Sequence, residues 1–337
     1  MLDRQITLAH GNGGRFMREL IEEVFARQLA NERLDIDVDA ATLPWPPDAD
    51  CELMFTTDGF TVQPLEFPGG DIGMLAIHGT VNDLAVSGAT PRWLGLNVFA
   101  EEGLEVALLE RIVASLAAAA REVGVAVVAG DTKVVPRGEG GGLYLATTGI
   151  GARPRSLSLG ISRIQPSDAI LVSGPIGSHG VAVLLARERF GLRGDLRSDA
   201  ASVLPLTLAL REFSGLRFMR DPTRGGLATV MHEIARVRGL GVQLDQSAIP
   251  VAEPVRAVCE MLGYDPYYLA CEGRVIAVIA AAQAEQALRA WRALPEGRDA
   301  GLIGRIDASQ SRVVLTTELG GARYLEELED DPLPRIC

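Results

Sequence analysis

The sequence is short of positive charge. Its 337 residues carry 32 Lys and Arg against 44 Asp and Glu, a formal net charge of −12. Nucleic-acid binding rests on neutralising phosphates with clustered Lys and Arg, so that class of partner is excluded. The opening MLDRQITLAH lacks the basic-then-apolar pattern of a secretory signal. The longest apolar runs, such as 275–282, fall far short of a bilayer span. A cytoplasmic protein without a membrane partner is the expectation. Only four cysteines are present, Cys51, Cys259, Cys271 and Cys337, with no metal-knuckle spacing. In a reducing compartment they read as thiols, and the first three as small buried hydrophobes. Nothing matches the Walker A spacing, so if a nucleotide binds, it binds by another fold. No internal repeat of fixed short period is visible.

What is present is apolar substance, 47% hydrophobic residues against 23% charged, over a length that suits about two domains. Strands are predicted near 51–57, 93–100, 125–129, 143–149, 169–173, 241–244, 275–280 and 313–316. Helices are predicted near 104–123, 180–189, 201–212, 227–238, 251–262 and 283–293. Met74, Ile77, Val81 and Leu84 have helical spacing behind Asp71, which predicts an amphipathic helix over 72–88 with Asp71 as its N-cap. Strands and helices alternate in both halves, which argues for two α+β (mixed α/β) domains joined near 154–166. The domains are read as 1–153, 154–320 and a mobile tail over 321–337. Pro332 and Pro334 favour an extended arm.

Four acids stand out. Asp58, Asp131 and Asp221 sit beside Gly, Pro or Thr at the end of apolar runs, and Asp83 borders the apolar stripe of its helix. Converging carboxylates suit Mg2+, a hard ion that takes oxygen ligands and is shared with substrate phosphates. Glycine clusters accompany them at 11–14, 69–70, 138–142 and 225–226. The stretch Thr223–Gly226 opens a helix, whose N-terminus favours phosphate. The alternative is that each acid is a turn residue or cap and each Gly-Gly a turn; residue type and spacing leave both open.

Cys337 ends the chain behind the proline-containing arm. It has little to pack against, and its thiolate is a strong nucleophile. An incidental terminal cysteine is the alternative. His78, His179 and His232 are read as ordinary hydrogen-bonded residues.

The stretches AHGNGG (9–14), TTDGF (56–60), FPGGDIGMLAIHGTVNDLAVSGATP (67–91), GDTKVV (130–135), SGPIGSHG (173–180), MRDPTRGGLAT (219–229), CEMLGYDP (259–266), ACEG (270–273) and PRIC (334–337) are spread along essentially the whole chain. In them the sequence resembles the HypE family of hydrogenase expression/formation proteins. The resemblance implies a two-domain fold like that of aminoimidazole-ribonucleotide synthetase (PurM-like), with ATP bound by the N-terminal domain near a homodimer interface. It implies that a carbamoyltransferase, HypF, loads Cys337 with a carbamoyl group. Dehydration then gives a thiocyanate, whose cyano group passes to iron on a HypC–HypD complex.

On that footing Mg2+ is expected on Asp58, Asp83, Asp131 and Asp221. Asn82, Thr132, Thr223, Gly225 and Gly226 complete the nucleotide site with the first three acids. Glu272 is expected as general base, with Lys133 as charge stabiliser or proton relay. Ordinary turn-acid and surface-lysine roles are their alternatives. Selenophosphate synthetase and thiamine-phosphate kinase are the competing enzymes of the superfamily, and neither explains PRIC. A non-catalytic carrier of a group on Cys337 is the competing non-enzyme.

Overall fold

The computed structural model describes residues 5–10, 14–34, 50–188 and 195–328. Cys337 and residues 11–13 of the AHGNGG stretch lie outside them. The chain forms two compact units, 1–84 with 89–154, and 85–88 with 155–336.

The first unit begins with α1 (Gly14–Leu20), a π-helical stretch (Ile21–Ala26) and α2 (Arg27–Leu29). There follow β1 (Cys51–Phe60), the short β2 (Glu66–Phe67) and β3 (Gly70–Asp71), α3 (Ile72–Val86), β4 (Thr90–Glu101), α4 (Val106–Glu122), β5 (Ala126–Val135) and β6 (Leu143–Pro154). The main sheet has the order β1-β6-β4-β5. β4 and β5 are parallel, joined through α4, and the other pairs are antiparallel.

α4 forms where the sequence repeats apolar residues at helical spacing: Leu109, Ile112, Val113, Leu116 and Ala120 are buried on one side. It ends in a Schellman turn. Gly124 takes φ +71°, its N–H donates to Arg121 O, and Val125 N–H donates to Ala120 O.

α3 departs from expectation. Asp71 does cap it, accepting from the N–H groups of Gly73 (2.7 Å) and Met74 (3.0 Å). The helix is not amphipathic, however: Thr80, Asn82 and His78 are buried along with its apolar residues. The apolar spacing was one stripe of a helix enclosed on nearly all sides.

The second unit contains β7 (Ala169–Val172), α5 (Ser178–Arg187), α6 (Leu204–Leu210), β8 (Leu216–Arg220), α7 (Gly226–Arg238), β9 (Gly241–Asp245), α8 (Glu253–Leu262), β10 (Ile276–Ile279), α9 (Ala281–Arg292), β11 (Gly301–Asp307), β12 (Val313–Thr316) and β13 (Ala322–Tyr324). They build one seven-stranded sheet, β13-β12-β9-β11-β7-β10-β8. Central strands such as AILV and IAVI are buried throughout. They are continuous apolar runs because helices cover both faces. Ile170, Val172, Ile276 and Val278 enter a core with Leu227, Met231 and Ile234 of α7. Their neighbours Leu171, Ala277 and Ile279 enter another with Leu206, Leu210 and Trp291.

Three further expectations are corrected. The strand read at 125–129 does not stop there but runs on through GDTKVV as β5. β8 and β11 were not anticipated, nor was the N-terminal helix. The tail does not begin at residue 321: β13 pairs with β12, and Leu325 is 1% exposed in the core.

Candidate functional site

In the first unit, register decides which side chains meet. Thr56 pairs with Gly149 and Asp58 with Thr147 across β1 and β6. Alternate residues of a strand face opposite sides. Thr56, Asp58 and Thr147 share the face that α3 covers. There Thr56 Oγ1 donates to Asp83 Oδ2 at 2.9 Å, and the hydroxyls of Thr80 and Thr147 are hydrogen-bonded to each other. A Cβ on Gly149 would come within 2.7 Å of Thr80 Cγ2, so glycine lets α3 lie this close to the strands. Asp58 Oδ2 would be 3.9 Å from a Cβ on Gly79 of the same helix. The structure thus brings Asp58 and Asp83 to one helix-sheet seam, beside buried Asn82. The hydroxyls of Thr56, Thr80 and Thr147 were not singled out from sequence; the Thr-Thr pairs at 56–57 and 147–148 were a signal for the first and last, and nothing marked Thr80.

Asp131 and Lys133 stand elsewhere. Asp131 pairs with Asn97, and Asn97 with Ala146, which pairs with Gly59. That row faces away from α3. Lys133 Nζ lies 2.8 Å from Asp131 Oδ2. The ammonium, with a hydrogen bond from Thr132 N–H, holds the Asp131 carboxyl below the usual carboxylate range. Thr132 is buried on the opposite face.

In the second unit three glycine-containing loops gather around Cys271. Cys271 N–H donates to Pro222 O (3.0 Å), and Gly180 N–H to Ala270 O (3.1 Å). Gly177 N–H lies 3.2 Å from Cys271 Sγ. Cys271 is 0% exposed, and burial pushes its thiol far up, which makes it inert. Cys259 is also buried, its thiol pushed up to about 11 by desolvation. Cys51, by contrast, is only half-buried.

Glu272 follows Cys271 into the interior at 3% exposure. Asp199, next to it, accepts from Glu272 N–H (3.4 Å) and lies 3.4 Å from Arg274 Nε. Arg274 also donates to Pro175 O at 2.9 Å, and His179 Nδ1 lies 2.8 Å from Ser198 Oγ. Arg274 and Asp199 were missed, since neither stands out in sequence.

Asp221 is buried before the loop that opens α7, and Thr223 O accepts from Gly226 N–H at 3.0 Å. Gly225 and Gly226 take φ +68° and +58°. A Cβ on Gly226 would meet Leu269 O at 2.6 Å and Tyr267 O at 2.8 Å. Close packing against the 267–269 turn therefore requires glycine here, independently of any phosphate.

Among the described residues no group of three or more His, Cys, Asp or Glu is placed to hold a metal ion. Asp58 and Asp83 share one seam of the first unit, Asp131 the other sheet face, and Asp221 belongs to the second unit.

Comparison with known proteins accounts for both units. Residues 37–153 match the AIR synthase related protein N-terminal domain, and residues 165–316 the C-terminal domain of the same family. The chain is 49% identical to carbamoyl dehydratase HypE of Azotobacter vinelandii over 334 residues, 98% of this chain and 97% of that one. It is 44% identical to carbamoyl dehydratase HypE of Escherichia coli K12 over 335 residues, 98% and 99% of the two chains. A crystal structure of E. coli HypE superimposes with a TM-score of 0.91 at 43% identity, over 95% of this chain and 100% of that one. A structure of hydrogenase maturation protein HypE in complex with ATP gives 0.92 at 44% identity, over 98% and 99%. HypE in a HypE–HypF complex gives 0.80 at 40% identity, over 92% and 99%.

Proposed function

The chain belongs to the HypE family of hydrogenase maturation proteins, ATP-using carbamoyl dehydratases of two AIR-synthase-related domains, and we propose that its own Cys337 carries the group it dehydrates. The observation that carries this reading is the match along both domains to HypE, including HypE bound to ATP.

The reaction converts a thiocarbamate, S–C(=O)NH2, to a thiocyanate, S–C≡N. An amide oxygen is a poor leaving group. Transfer of the ATP γ-phosphoryl group to it lets it depart as phosphate, leaving ADP. Both N–H protons are lost, one ending on phosphate and one in solvent, and a base must take them as C≡N forms. Glu272 is the base in this reading; its burial keeps it away from bulk water. Lys133 balances charge or relays the proton.

Asp58 and Asp83 offer oxygen donors only, which fits Mg2+. One or two carboxylates together with the nucleotide phosphates suffice to hold such an ion. Magnesium, when bound, would neutralise charge on the transferred phosphoryl group. Asn82 and Thr132 of the first unit contact the nucleotide in this reading.

The outward face of the first unit's sheet supports a homodimer. Leu53 (52%), Phe55 (64%) and Phe99 (39%) are exposed on it. Phe55, Ile150 and Trp93 form one cross-strand row, and Tyr144 pairs with Phe99 in another. Large apolar side chains left exposed on one sheet face in this way mark an interface. Asp131 and Lys133 lie on this face, so in the dimer they act at the subunit boundary. HypF is the loading partner, as a HypE–HypF complex is known for a relative, and HypC–HypD the cyanide acceptor. No described helix is long and apolar enough to cross a membrane; the cytoplasm is the proposed location.

Intact mass spectrometry tests the central claim. With the carbamoyltransferase, carbamoyl phosphate and ATP, the C-terminal peptide should gain a carbamoyl group and lose one water only when ATP is present. Cys337→Ala should keep the wild-type melting temperature and form no product. A Cys337→Ala chain that still becomes cyanated ends the proposal.

A further inference from the structure

β13 carries the chain towards its end, and Leu325 closes the core behind it: the residue is buried, and its N–H donates to Val313 O at 3.0 Å. Beyond Leu325 burial no longer holds the chain, since Glu326 and Glu327 are exposed. Two side chains hold it instead. His232 Nε2 lies 2.8 Å from Leu325 O. A carbonyl only accepts, so that nitrogen carries the proton. Tyr268 Oη donates to Glu326 O at 2.7 Å. Leu328, half-buried, places its Cδ1 3.7 Å from where a Gly225 Cβ would stand.

Both donors sit on the framework of the candidate site. His232 is on α7, the helix that Gly225 and Gly226 open. Tyr268 ends the 266–268 turn, whose backbone packs on Gly226 and leads directly into Cys271 and Glu272. We propose that His232 and Tyr268 form a clasp that fixes the pivot of the Cys337 arm beside the Gly225–Gly226 turn. They are positioning residues, and the proposal rests on the reading that Cys337 carries the substrate. Nine residues follow Leu328, a reach of about 30 Å when fully extended. A pivot held on the same framework as Glu272 raises the effective concentration of the tethered group and limits its directions of approach.

The test uses the full chain, loaded by the carbamoyltransferase and mixed with ATP for a single turnover. The double variant His232→Ala, Tyr268→Phe should dehydrate about tenfold more slowly. Its ATP affinity, carbamoyl loading and urea midpoint should match wild type. His232→Gln, whose amide can donate to the same carbonyl, should restore much of the rate in the Tyr268→Phe background. A nitroxide on Cys337, in a Cys51→Ala background, should give narrower spectral lines in the double variant. An unchanged dehydration rate overturns the clasp, as does a slow rate accompanied by equal losses of ATP affinity and stability. If the wild-type chain forms no cyano group at all, the functional reading falls. The nitroxide spectra then decide the clasp alone: narrowing supports it, and identical spectra overturn it.

Discussion

At the scale of the residue, chemical type was legible and surroundings were not. Asp71 announced itself as a cap because a short acid before an apolar helical run has one favourable use. Cys259 and Cys271 read correctly as buried. His78 did not read correctly: it is 3% exposed, and neither ring nitrogen has a hydrogen-bond partner among the described residues. Desolvation lowers its pKa from 6.5 to about 4. The folded chain therefore holds a neutral imidazole where the unfolded chain takes up a proton. Between those two values the unfolded state binds more protons, so stability falls as pH falls, by about 1.4 kcal/mol per pH unit. Above pH 6.5 the effect vanishes. His78→Leu should remove this dependence, so urea midpoints of variant and wild type should diverge in favour of the variant from pH 7 to pH 4.5. A constant gap across that range would show that His78 titrates normally.

At the scale of the element, periodicity located most helices and strands, while their boundaries and faces needed partners. The helix opened by Gly225-Gly226 was legible from its glycines, but their reason was not. Phosphate approach explains such glycines equally well in one dimension; only the 267–269 carbonyls, more than forty positions away, show that a side chain has no room. Gly226→Ala should destabilise the chain by about 1–3 kcal/mol, from a positive φ and a clash with backbone that cannot rotate aside. Equilibrium urea unfolding measures it, and a change below about 0.5 kcal/mol would mean that the 266–268 turn yields freely. β5 teaches the converse. Gly130 and Asp131 read as a strand end because both are poor strand formers, yet the parallel pairing of β4 with β5 runs on through Val135. Ladder hydrogen bonds from a neighbouring strand outweighed local propensity.

At the scale of the whole molecule, the apolar patch around Phe55 on the outward sheet face, with Leu53 and Phe55 exposed, is where the proposed homodimer would form. Phe55→Asp sets a charge in the middle of that patch and should shift the protein from dimer to monomer in sedimentation velocity at micromolar concentration, with its circular dichroism unchanged. If Asp131 and Lys133 act at the subunit boundary, dehydration should fall with the dimer; a monomer that keeps full activity would confine the site to one chain. By itself the sequence determined the family, the two-domain layout, the net negative charge, and the residue types able to do the chemistry, because composition, spacing and long motifs are properties of the chain alone. Only the tertiary structure decided that Asp58 and Asp83 share a seam while Asp131 looks the other way, and that the last strand ends in a grip by His232 and Tyr268. Those facts follow from strand register and from contacts between distant segments, where a shift of one residue turns a side chain to the opposite face.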